Sequence, residues 1–133
     1  MAQRTPPLRV FLADDSPLIR SRIRDLLEGS GMAIVGEGTT PRECIAGILE
    51  SSPDVVVLDV QLDGGPGLQV LRAVRQAAPQ VAFVVFSNNT ASAYRTRYLH
   101  DGALGFLDKS TDSGDLPLAV TRAAAGAPAH TTH

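Results

Sequence analysis

The feature that most restricts this chain is the run Val55-Val56-Val57-Leu58, which leads directly into Asp59 and a glycine-rich loop, Asp63-Gly64-Gly65-Pro66-Gly67. Four aliphatic residues in a row between turn signals predict a short strand buried on both faces, because a half-buried strand would alternate. Burial on both faces needs structure above and below, so the run belongs in the interior of a parallel sheet. It ends in a carboxylate. Open α/β sheets bind ligands beyond the carboxyl ends of their strands, where the strand order reverses, and Asp59 stands at such an end.

The rest of the chain repeats the arrangement. Residues 8–13 predict a first strand that closes on Asp14-Asp15. Ser16-Pro17 supplies an N-cap and a proline at the first helical position. Leu18, Ile19, Ile23, Leu26 and Leu27 then recur at helical spacing up to Gly29-Ser30-Gly31. Residues 32–36 predict a second strand. Thr40-Pro41-Arg42-Glu43 resembles a capping box, and Ile45, Ile48 and Leu49 mark the helix behind it. Leu68, Val70, Leu71 and Val74 mark a third helix that ends before Pro79. Residues 81–86 predict an all-apolar strand ending at Ser87-Asn88-Asn89, and residues 92–100 a fourth helix closing at Asp101-Gly102. Residues 105–108 predict a short strand leading to Lys109, and residues 116–125 a last helix with Pro117 in its first turn.

The alternation βαβαβαβαβα predicts an α/β fold: a doubly wound, five-stranded parallel sheet with five helices on its two faces and right-handed crossovers. The flavodoxin-like order 2-1-3-4-5 suits a sheet of this size and opens its crevice between the first and third strands. Residues 8–126 are expected to form one domain, with 1–7 a flexible lead-in and 127–133 a flexible tail.

Composition excludes several classes. The formal net charge is −2 over 133 residues. With no basic cluster to override it, direct nucleic-acid binding and membrane-surface binding by this chain are not expected. A lone cysteine, Cys44, cannot form an internal disulfide and fits a reducing cytoplasm. No apolar stretch approaches the roughly eighteen residues of a membrane span, and the first residues carry no signal-peptide pattern, so a cytoplasmic protein is expected. His100, His130 and His133 show no zinc-ligand spacing. Eleven of the twelve basic residues are arginine, and the only lysine is Lys109.

That lysine falls in register with the acids. The strand ends contribute Asp14 and Asp15, then Asp59, then Ser87, then Lys109. Three crowded carboxylates repel one another unless a cation neutralises them. Oxygen donors without histidine or thiolate favour Mg²⁺, or Mn²⁺, over zinc. An aspartate beside such a cation can attack a phosphoryl donor, while the cation, an ammonium and a hydroxyl share the phosphoryl oxygens. Taken singly the residues say less: Asp14 and Asp15 could be a turn and cap, Ser87 a helix cap, Lys109 a solvated loop lysine, Phe106 core. Cys44 reads as a packed side chain.

The set resembles the receiver domain of two-component response regulators, over about residues 9–125. Asp14-Asp15, Asp59, Ser87, Phe106 and Lys109 carry the resemblance. It implies a phosphoacceptor at Asp59, loaded by a sensor histidine kinase or a histidine phosphotransfer protein, that switches affinity for a downstream target. It implies Mg²⁺ held by Asp15, Asp59 and the backbone carbonyl of Gln61, with Asp14 acting through water. Ser87 and Lys109 would contact the phosphoryl group, and Phe106 would be an aromatic switch that turns inward when Ser87 moves. Gln61, Asn88, Asn89 and Asp63 are the candidate modulators. Arg95, Arg97, Tyr94 and Tyr98 form a basic-aromatic patch on the fourth helix, expected as a solvated face and as a partner or homodimer contact.

The sequence departs from the family pattern in three places. Asp63 stands where proline is common and Pro66 replaces a small or acidic residue, which predicts a more mobile loop after Asp59. Asn88 is larger than the usual small residue and would restrict donor access. Ser110 follows Lys109 where proline is common, which removes a rigid turn. A polar residue after the lysine looks more like receivers that precede helix-turn-helix output domains; a single-domain regulator or a fragment of a longer protein is expected. Other functions fit less well. An aspartyl-nucleophile phosphatase would carry a second acid where Gln61 stands, so no turnover enzyme is expected. A nucleotide- or flavin-binding domain would have a glycine-rich phosphate loop after its first strand. A degenerate receiver acting as an unphosphorylated interaction module is the remaining alternative, which the intact acid set and Lys109 oppose.

Overall fold

Two of the helices begin at side-chain caps that the sequence predicts. The computed structural model describes residues 6–127. Most of the expected lead-in and tail, with His130 and His133, lies outside the described residues. The elements are β1 (Arg9–Ala13), α1 (Pro17–Glu28), β2 (Ala33–Gly38), α2 (Pro41–Ser51), β3 (Val55–Leu58), β4 (Gln61–Leu62), β5 (Gly65–Pro66), α3 (Gly67–Ala77), β6 (Ala82–Ser87), α4 (Ser92–His100), β7 (Gly105–Asp108) and, after a 3-10 turn at Ser113–Asp115, α5 (Leu116–Ala124). The Ser16 hydroxyl accepts from the Ile19 N–H at 3.2 Å and opens α1. The Thr40 hydroxyl accepts from the Glu43 N–H at 3.1 Å and opens α2. The capping box is shifted by one residue. Glu43 accepts from the N–H and hydroxyl of Thr39, at 3.0 and 2.8 Å, rather than from the N–H of Thr40. Thr39 offers two donors to one carboxylate oxygen, which explains the choice.

Five strands form one parallel sheet in the order β2-β1-β3-β6-β7. Counted within the sheet, this is the expected 2-1-3-4-5. Successive side chains of β3 leave on opposite faces. Val56 and Leu58 pack with Ile48 of α2, Val70, Leu71 and Val74 of α3 and Tyr98 of α4. Val55 and Val57 pack with Ile23 and Leu27 of α1 and Leu116, Val120 and Ala123 of α5. All four β3 residues are at most 2% exposed. At about 1.5–3 kcal/mol for each fully buried aliphatic side chain, the strand is firmly anchored in the core. It therefore holds Asp59 at a fixed height above the sheet.

The segment after Asp59 forms a small antiparallel ladder that the sequence reading did not include, with Gln61 opposite Pro66 and Leu62 opposite Gly65. Gly64 takes the turn with φ at 84°, a conformation glycine adopts freely. Leu62 is 1% exposed and the Asp63 N–H donates to the Thr39 carbonyl at 2.9 Å. Pro66 ends the ladder on its non-donating side, and the buried Leu62 anchors it. The turn after Lys109 is also rebuilt without proline. The Asp108 carboxylate accepts from the Ser110 N–H at 2.8 Å and its hydroxyl at 2.6 Å, while the Asp108 N–H donates to Asp112 at 2.9 Å. Among the described residues no helix is long and apolar enough to cross a membrane.

Candidate functional site

The reversal of strand order leaves β1 and β3 side by side, so Asp14-Asp15 and Asp59 leave the sheet together. Carboxylate oxygens of Asp14, Asp15 and Asp59 lie within 4.8 Å of one another. The cluster contains no histidine or cysteine. Asp15 is exposed at the mouth. Asp14 is 3% exposed, and both of its oxygens are engaged: one accepts from the Ser16 N–H at 2.9 Å and the other from Lys109 Nζ at 2.6 Å. Arg20 donates to the Asp14 backbone carbonyl at 2.6 Å and is itself paired with Glu37.

Lys109 enters from the far side. Its N–H donates to the Ser87 carbonyl at 3.1 Å, which extends the pairing of β6 with β7. Its side chain is 7% exposed and spans to Asp14 and, at 2.8 Å, to Asp59 Oδ2. Asp59 Oδ1 has no hydrogen-bond partner among the described residues. Burial works against the ammonium charge of Lys109, but its two carboxylate partners outweigh that and raise its pKa above the ordinary value. Burial pushes the Asp14 carboxyl up, with Lys109 and the Ser16 N–H pulling it back only partly. One ammonium faces three carboxylates, so the cleft carries surplus negative charge.

Above these groups a cleft of about 350 Å³ is lined by Asp15, Asp59, Gln61, Ser87, Asn88 and Asn89. Its size and polarity suit a small charged group. Ser87 is 2% exposed, and its hydroxyl accepts from the Asn89 N–H at 3.0 Å. Asn88 is exposed at the rim. The Gln61 side chain turns into its own hairpin and donates to the Leu62 carbonyl at 3.2 Å. Asp63 is exposed in the turn and is not among the residues lining the cleft. Phe106 is 1% exposed and already inward. Arg95 covers it, with the guanidinium 5.6 Å from the ring centre and a bond to the Phe106 carbonyl at 3.1 Å.

Two residues take a place in the site that the sequence did not assign them. Tyr98 is not part of a solvated patch: it is 2% exposed, meets Phe106 edge to face at 6.2 Å, and its hydroxyl donates to the Val60 carbonyl at 3.2 Å. Tyr94, at 44% exposed, is the outward member of the pair. Gly67 is the other. A Cβ there would lie 2.0 Å from the Asp59 carbonyl oxygen. The missing side chain lets α3 start directly beneath Asp59, and the Gly67 N–H donates to Val60 at 2.8 Å. A glycine that opens a helix with no capping side chain before it was the available signal.

A doubly wound sheet with an acidic cluster and a buried lysine at its switch point defines a flavodoxin-like α/β domain with a built anionic site. The chain belongs to the response regulator receiver domain family, whose pattern matches residues 10–121. It is 34% identical over 118 residues to the transcriptional activator protein ExaE of Pseudomonas putida, covering 88% of this chain and 55% of that protein. The signal receiver domain of response regulator NarL from Mycobacterium tuberculosis superposes with a TM-score of 0.86 at 32% identity, covering 92% of this chain and 99% of that one. A LuxR-family two-component response regulator from Aurantimonas sp. SI85-9A1 gives a TM-score of 0.87 at 32% identity, covering 92% and 88%. The chain spans 55–58% of the length of the curated relatives it matches. Receiver domains are signalling modules of two-component systems.

Proposed function

We propose that Asp59 accepts a phosphoryl group from a sensor histidine kinase or a histidine phosphotransfer protein, and that this charge switches the affinity of the chain for a downstream target. The observation that carries the reading is the pairing of the only lysine with Asp14 and Asp59 in a cleft of surplus negative charge. A lone ammonium that satisfies two carboxylates is placed to follow the phosphoryl group when it arrives. Asp59 Oδ1, free of hydrogen bonds, would attack phosphorus. An O–P bond forms, the P–N bond to the donor imidazole breaks, and the electron pair returns to the ring nitrogen. Lys109 Nζ and the Ser87 hydroxyl would take phosphoryl oxygens.

The donor set fits a hard divalent cation, because it is all oxygen and its carboxylates converge within 4.8 Å. Asp15, Asp59 and the Gln61 backbone carbonyl would hold Mg²⁺ or Mn²⁺, with Asp14, whose oxygens are already bonded, acting through water. A bound Mg²⁺ supplies neutralisation of the carboxylates and of charge on the phosphoryl oxygens. Once Ser87 is drawn to the phosphoryl group, the Asn89 N–H loses its partner and the β6–α4 segment must rearrange. Phe106 and Arg95 on α4 would respond. Gln61, two residues beyond Asp59, has no acid to offer a leaving group, consistent with a switch rather than a turnover enzyme.

Incubation with acetyl phosphate and Mg²⁺, followed by intact mass, tests the reading. One added phosphoryl group is expected, absent in Asp59→Asn. No adduct from either acetyl phosphate or a phosphorylated histidine donor would leave the unphosphorylated interaction module as the better description.

A further inference from the structure

One face of α1 carries a row of charge that reaches the acidic site. Arg20, Arg24 and Glu28 recur every four residues, so they line up along the helix. Arg24 pairs with Glu28 at 3.3 Å and also with Glu37 of β2, while Arg20 Nε pairs with Glu37 Oε1 at 2.8 Å. Glu37 stands opposite Leu12 in the register of β1 and β2, so the network joins α1 to the rim of the sheet. Burial works against the Glu37 carboxylate, but its two arginine partners outweigh that and hold its carboxyl below the ordinary range.

The network extends past the ion pairs. Arg20 Nη1 donates to the Asp14 carbonyl oxygen at 2.6 Å. That carbonyl belongs to the peptide linking Asp14 to Asp15. A peptide is planar, so holding its oxygen fixes the plane from which the Asp15 side chain departs. The Asp14 N–H is held in turn by the Gly38 carbonyl at 3.1 Å. The two acids differ in what aims them. The Asp14 carboxylate is directed by the Ser16 N–H and Lys109. The Asp15 carboxylate is exposed and has no hydrogen-bond partner among the described residues, so its direction is set by its backbone.

We propose that Arg20 is a positioning residue for the cation site: its guanidinium, anchored on Glu37, holds the Asp14–Asp15 peptide so that the Asp15 carboxylate faces the cluster before a divalent cation arrives. The proposal rests on Asp15 being a metal ligand and is independent of phosphoryl transfer. The planar fork suits the task, because Nε and Nη1 donate in fixed directions, one to Glu37 and one to the carbonyl. A lysine carries its donors on one freely turning atom and loses that geometry. Positioning and charge act with opposite signs here. A guanidinium beside three carboxylates repels a dication, so by charge alone its removal tightens Mg²⁺ binding. If Arg20 aims Asp15, its removal weakens Mg²⁺ binding.

Calorimetric titration of Mg²⁺ into the whole chain separates the two. Arg20→Met keeps an apolar stem and removes the fork, and its Mg²⁺ affinity is expected to fall about tenfold. Arg20→Lys keeps the charge without the fork and should fall about threefold or more. Arg24→Met removes a charge and a partner of Glu37 but no bond to Asp14, and should stay within about twofold. Thermal melts in metal-free buffer set a titration temperature at which each variant is folded; if Arg20→Met is unfolded throughout, Arg20→Lys against the native chain decides. Tighter binding in Arg20→Met means that charge alone acts, and overturns the proposal. Unchanged affinity in Arg20→Met, or native affinity in Arg20→Lys, also overturns it and leaves Arg20 a tie between α1 and β2. Equal losses in Arg20→Met and Arg24→Met trace to a loosened α1 and overturn it too. Absence of Mg²⁺ binding by the native chain overturns it together with the cation reading of the acidic cluster, whereas the phosphoacceptor reading is tested apart, by acetyl phosphate labelling.

Discussion

Lys109 shows how one residue can organise a site. Its side chain is nearly excluded from water and divides its donors between Asp14 and Asp59. Asp15, the third carboxylate, has no such partner and faces solvent. Neutralising it by substitution removes like-charge repulsion. In metal-free buffer Asp15→Asn should therefore raise the melting temperature, while Mg²⁺ should stabilise the native sequence and not the variant. At Mg²⁺ about tenfold above its Kd the gain is about 1.4 kcal/mol. A thermal melt with and without Mg²⁺ checks both signs; equal gains in the two proteins would remove Asp15 from the metal site. Asp14, Asp15, Asp59 and Lys109 were legible in the sequence because each follows an apolar run, and strand ends converge in a parallel sheet. The inward turn of Tyr98 was not legible. Tyr94 and Tyr98 are four residues apart on one helix, and only the rotation of α4 against Phe106 separates a buried ring from an exposed one.

At the scale of elements, the start of α3 sets the tightest condition. With a Cβ of residue 67 only 2.0 Å from the Asp59 carbonyl, backbone must move to admit any side chain. Gly67→Ala is expected to cost about 3 kcal/mol or more, as an overpacked contact against main chain. It should also slow phosphorylation under conditions where the variant remains folded. Gly114→Ala, where nothing lies near the added carbon, is the matched control and should stay within about 0.5 kcal/mol. Denaturant melts of the two variants make the comparison. The elements of the main sheet could be read from apolar runs and caps. The β4–β5 ladder could not, because a two-residue strand containing Pro66 has no periodicity, and its order comes from Leu62 reaching the core and Asp63 meeting Thr39. The bonds of the turn after Lys109 were not legible for a related reason. A missing proline was visible, while the Asp108–Ser110 bonds that replace it depend on side-chain placement.

For the molecule as a whole, the alternation of strands and helices sufficed to give the topology, since right-handed crossovers leave few ways to wind five parallel strands. Stability at alkaline pH follows from two buried protons. Burial moves the Tyr98 hydroxyl from its ordinary 10.0 to about 12, and Lys109 is raised above its ordinary 10.5. In both cases the folded state holds its proton more tightly than the unfolded chain. Their contribution is thus fully present below the unfolded values and is lost as pH climbs from about 10 toward 12. Urea melts across that window should show stability falling, with a shallower fall in Tyr98→Phe; identical slopes would mean that Tyr98 is not the buried proton.

The central claim is that one carboxylate, Asp59, receives the phosphoryl group. Borohydride reduction of the acetyl-phosphate-treated chain converts an aspartyl phosphate to homoserine, and peptide mapping then locates it. Homoserine at position 59 alone is the expected result. Homoserine at position 14, 15 or 63, or at none, would contradict it.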